Sequence, residues 1–115
     1  MRKISLLLFL FILFSSFSSS VLQTKLQITV LNHLGNIVEG ATVEIYGNEE
    51  DYRNEKNALR EPRVSDEKGR VMYNKLEEKV YWLHVHKDDM NNHGAGVKTD
   101  KLTPKKVNKV NVIIE

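Results

Sequence analysis

The chain has 115 residues with 17 basic and 15 acidic side chains and no cysteine. Thiol chemistry and disulfide stapling are therefore excluded, and the length allows one domain with a single core. Arg2 and Lys3 account for the whole basic excess, so the remainder carries 15 basic against 15 acidic residues and lacks the charge that phosphate neutralisation demands. No nucleic-acid partner is expected.

The first twenty residues read as an export leader. Arg2-Lys3 is followed by the apolar run Ile4 to Phe14 and by Ser15-Ser-Phe-Ser-Ser-Ser20, the order of a signal peptide with its small-residue cleavage region. The serines dilute the apolar run and no stop-transfer charges follow, so cleavage is expected rather than retention as an anchor. Residues 21–115 then form the mature domain, without a membrane span, in the periplasm, at the cell surface or secreted.

Leu26, Ile28 and Val30 alternate with polar positions and predict the first strand; Val43 and Ile45 repeat the pattern after the turn chemistry of Asn32-His-Leu-Gly-Asn36. Gly40-Ala41 marks a bulge or close backbone approach before the second strand. From Gly47 to Arg63 the chain becomes charged, which predicts an exposed excursion with a helical turn or two, pinned by Tyr52 and Leu59. Val64 begins a short strand that turns at Ser65-Asp-Glu-Lys-Gly69.

Val71 to Leu76 and Val80 to His86 are the next predicted strands. In the latter, Tyr81, Leu83 and Val85 share the core face, while Trp82, His84 and His86 share the other. Lys87 to Pro104 is polar and irregular. Val107 to Glu115 closes the chain as a strand with Val110, Val112 and Ile114 inward. About seven short strands without a sustained helical period define the expected class, an all-β, antiparallel, Ig-like or prealbumin-like sandwich.

Taken together, Leu26-x-Ile28-x-Val30, Val38-x-Gly40-Ala41-x-Val43-x-Ile45-Tyr46, Ser65-Asp66-x-x-Gly69-x-Val71, Leu76 and Tyr81-x-Leu83-x-Val85 resemble the carboxypeptidase regulatory-like domain of the transthyretin-like group. Lys79-Val80 stand where many members carry a glycine, and the Gly47 to Arg63 excursion is longer than the minimal form. The resemblance implies a small, stand-alone, noncatalytic accessory domain that supports or docks against an extracytoplasmic protein. Hydroxyisourate hydrolase shares the architecture, but its C-terminal Tyr-Arg-Gly-Ser is replaced here by Val112-Ile-Ile-Glu115. Neither a His-Glu-x-x-His zinc motif nor a nucleophile elbow occurs, so no enzyme activity is expected.

Two ligand hypotheses remain. His84 and His86 project from one strand face, and His93 follows in the next loop, a set of three nitrogen donors suited to zinc or copper. Trp82 lies on the same face, with Tyr46 and Tyr73 expected nearby, an aromatic platform on which a glycan could stack. The five lysines between Lys98 and Lys109 flank a strand edge, where charge discourages sheet-to-sheet association.

Overall fold

A computed structural model describes residues 23–115; the expected leader, Met1 to Ser20, lies outside the described residues. Among the described residues, seven strands and one short helix follow in order: β1 (Lys25–Asn32), β2 (Thr42–Tyr46), α1 (Glu49–Asn54), β3 (Arg63–Val64), β4 (Arg70–Tyr73), β5 (Trp82–Lys87), β6 (Met90–Asn91) and β7 (Val107–Ile114). They form a three-stranded sheet, β4-β1-β7, packed on a four-stranded sheet, β3-β2-β5-β6.

Period-two alternation builds the core. Leu26, Ile28 and Val30 of β1, Val43 and Ile45 of β2, and Leu83 and Val85 of β5 are buried between the sheets, together with Val71, Tyr73, Tyr81, Val112 and Ile114. Each fully buried aliphatic side chain contributes about 1.5–3 kcal/mol relative to exposure. Val110 is only partly buried but packs against the same cluster.

One ladder departs from the expected antiparallel pairing. β1 and β7 run parallel over eight registered pairs, from Lys25 opposite Val107 to Asn32 opposite Ile114. Parallel neighbours need a long connection, and here almost the whole domain lies between the two strands. After β6 the chain travels back along the sandwich before β7 begins. This return segment is the expected irregular stretch, yet it is anchored: Leu83 N–H donates to Val97 O, Thr99 N–H to Tyr81 O and Leu102 N–H to Lys79 O. Asn92, Thr99 and Leu102 are buried along it. It covers the outer edge of β5, which a neutral, cysteine-free domain would otherwise leave open to association.

The Asn92 side chain completes that edge. Its Oδ1 accepts from Val85 N–H at 3.0 Å, while its Nδ2 donates to Leu83 O at 2.8 Å and to Gly96 O at 3.0 Å. The amide thus takes the place of a peptide group in a neighbouring strand.

The predicted turns are built from side-chain clips. Ser65 is buried, donates to Val38 O at 2.7 Å and accepts from Ala41 N–H at 2.9 Å, fixing the close approach before β2. In the Asp66 to Gly69 turn the Asp66 carboxylate accepts from Arg70 and Lys68 N–H, contacts that hold its pKa below the usual carboxylate range. Gly69 closes the turn at φ +73° against Val30 O.

A histidine and carboxylate cluster as candidate metal centre

The outer face of the four-stranded sheet carries the candidate site. β2 and β5 pair antiparallel with Glu44 opposite His84, Thr42 opposite His86 and Tyr46 opposite Trp82. Because Glu44 sits out of phase with the buried Val43 and Ile45, its carboxylate shares the face on which β5 presents its histidines. Glu44 Oε2 lies 3.6 Å from His84 Nδ1, and Glu44 Oε1 lies 3.8 Å from His86 Nε2. One donor atom from each of Glu44, His84 and His86 falls within 4.8 Å of the other two.

The excursion after β2 roofs this cluster. Its helix starts at Asn48, whose Oδ1 accepts from Asp51 N–H at 2.8 Å, and three acidic residues in the first turn suit the positive end of the helix. The helix ends at Glu55 in a left-handed conformation, φ 52°. There the Glu55 carboxylate reaches 3.8 Å from His84 Nδ1. Tyr52 packs edge-on against Tyr46, His84 and His93, with ring centroids 6.0, 6.5 and 6.3 Å away.

Burial within the cluster is graded. The side chain of His84 is 13% exposed, that of Glu44 23% and that of His86 39%, so the cluster is most accessible from the His86 side. Tyr46 is buried on this outer face and donates its hydroxyl to Glu44 Oε2 at 2.7 Å. Burial, then that hydrogen bond, pushes the Tyr46 pKa well above its ordinary value, so the hydroxyl keeps its proton and goes on orienting the carboxylate. Burial followed by the nearby Glu55 charge also raises Tyr52.

His84, His86 and His93 do come together. The rings of His84 and His86 lie 4.9 Å apart, and His93 stacks on His84 at 5.0 Å with 23° between the planes. His93 is a stacking neighbour rather than a member of the compact donor set, in which Glu44 takes the third place. Tyr52 does pin the excursion as expected, but sequence reasoning did not place it over the histidines, and it did not single out Glu44 or Glu55. The signal for Glu44 was its outward phase in β2, but placing it opposite His84 requires the register between strands separated by more than thirty residues.

The aromatic platform is not assembled as expected. Tyr73 belongs to the other sheet and lies in the interior, where its hydroxyl donates to Val43 O at 3.3 Å. Tyr46 does neighbour Trp82, but it is buried beneath α1. Trp82 is partly buried beside the return segment, and the Lys98 ammonium sits 5.7 Å above its ring.

These features define an immunoglobulin-like β-sandwich with a polar cluster on one outer face, and comparison with solved structures agrees with that class. The chain superposes on a streptococcal ancillary pilin with a TM-score of 0.62 at 12% identity, over 84% of this chain and 33% of that one. BcpA, the major pilin subunit of Bacillus cereus, matches with a TM-score of 0.51 at 17% identity, over 81% of this chain and 30% of BcpA. The chain therefore spans about a third of the length of these pilin subunits. Neither a family model nor a curated protein matches the sequence. Among the described residues, no helix is long and apolar enough to cross a membrane.

Proposed function

We propose that the chain is an exported, noncatalytic β-sandwich module of the carboxypeptidase regulatory-like kind, which supports or docks against a neighbouring extracytoplasmic protein. The observation that carries this reading is the match of nearly the whole described domain to about one third of a pilin subunit. The spaced Leu26 to Val85 motifs support the finer family assignment. The apolar run behind Arg2-Lys3 supports export.

Expression of the full chain in a bacterial host tests both parts. The expected product is extracytoplasmic, shortened by about twenty residues at its N-terminus, and crosslinks in intact cells to an envelope or surface protein. Recovery of an unprocessed chain from the cytoplasm overturns export. Turnover of a hydrolase substrate panel that disappears in a site variant overturns the noncatalytic assignment.

A further inference from the structure

We propose that Glu44, His84 and His86 form a binding site for a divalent transition-metal ion, zinc by preference, on the outer face of the β2–β5 pair. The inference goes beyond the structural role above and stands or falls separately from it.

The distances decide between an ion site and an ordinary hydrogen-bond network. At 3.6 and 3.8 Å, both carboxylate-to-imidazole separations exceed hydrogen-bond length. Among the described residues, His84 Nδ1 is shut off from solvent and has no hydrogen-bond partner. Buried polar atoms in folded proteins are nearly always satisfied, so a buried nitrogen aimed at two carboxylates without bonding either calls for a third party. A cation between them meets the need of all the donors at once.

The spacing suits a metal. Two donors of a tetrahedral site with bonds of ~2.0–2.2 Å lie ~3.3–3.6 Å apart. The two carboxylate-to-imidazole separations are within a few tenths of an ångström of this, and the three donors, all within 4.8 Å of one another, need only a small side-chain adjustment to close on an ion. The donor set, two imidazoles and one carboxylate, favours zinc, copper or nickel over the oxygen-seeking calcium and magnesium. Three protein donors leave a fourth position, and Glu55, 3.8 Å from His84 Nδ1, borders it from the end of α1. Tyr46 holds the Glu44 carboxylate in place by donating to Oε2, the supporting contact that metal-ligating carboxylates commonly have. The stack of His93 on His84 and the edge of Tyr52 fix the His84 ring.

The test uses the chain as purified, whether or not its N-terminus has been shortened, stripped with a chelator and titrated with zinc chloride under calorimetry. One ion per chain is expected, with a melting temperature raised by on the order of 10 °C once free zinc exceeds its dissociation constant a hundredfold. Glu44→Gln keeps an acceptor for Tyr46 but removes the charge, and His86→Asn alters the most exposed donor; each should weaken zinc at least tenfold. His33→Asn, in the exposed turn after β1 and outside the donor set, should leave affinity unchanged. Absence of stoichiometric zinc binding, or affinity retained within threefold in both Glu44→Gln and His86→Asn, overturns the site. A calcium or magnesium response exceeding that to zinc overturns the metal class. Circular dichroism of the two variants, expected to match the parent, separates loss of a ligand from loss of the fold.

Discussion

Asn92→Ala removes the side chain that completes the outer edge of β5. The residue is fully buried, and alanine leaves Val85 N–H and Leu83 O without partners, while Gly96 O, closer to the surface, can turn to water. Each stranded buried group costs about 1–3 kcal/mol. Partial opening of the return segment lets water recover some of this, so the expected loss is about 3 kcal/mol. For a domain of this size that corresponds to a fall in Tm of roughly 12–24 °C, and to a lower urea midpoint at unchanged slope. Asn92→Asp sharpens the test, because it keeps the volume and the acceptor for Val85 but replaces the donor with an oxygen facing two carbonyls. Burial and those carbonyls raise its folded pKa above the unfolded value of ~3.9, so the folded variant binds a proton more readily than the unfolded one. Its stability relative to the parent must therefore rise as pH falls through the folded pKa, levelling off below the unfolded one. Thermal and urea melts of both variants across that range are the assay. An alanine variant within about 1 kcal/mol of the parent, or an aspartate variant whose relative stability is flat with pH, refutes the role given to this side chain.

Gly69→Ala adds a Cβ 3.0 Å from Val30 O at a φ of +73°, and is expected to cost about 1–3 kcal/mol in a denaturant melt; equal stability would contradict the close packing of that turn. Burial pushes the Tyr73 hydroxyl up to about 12 from 10.0, so its contribution is whole below the unfolded pKa and fades as pH climbs toward 12. Tyr73→Phe should remove that part of the alkaline decline, read from melts at rising pH. Superimposable profiles for parent and variant would count against it.

Much of the architecture was legible because burial on one sheet face imposes a period of two. Leu26, Ile28 and Val30, and Tyr81, Leu83 and Val85, state their core face in the sequence, and the same phase puts His84 and His86 together outside. What stayed hidden depends on contacts between distant segments. Asn92 and Thr99 have the composition of a loop, and only the β5 edge that they seal explains their burial. The parallel pairing of β1 and β7 leaves no local mark, since no turn joins them. Tyr73 reads as an aromatic in a strand, but which sheet that strand joins is set by the pairing of β4 with β1. The candidate site divides the same way: its histidines share one short strand, whereas Glu44 and Glu55 arrive through strand register and a helix end.

The parallel first and last strands give the domain a mechanical polarity. β1 sets out from one pole of the sandwich and β7 finishes at the other, so tension drawn between Lys25 and Ile114 runs along the two strands in opposite senses. The eight registered pairs then resist as a shear joint, sharing the load, where an antiparallel hairpin pulled from its free ends would unzip one bond at a time. A force threaded through this molecule must slide an entire ladder before the core is exposed.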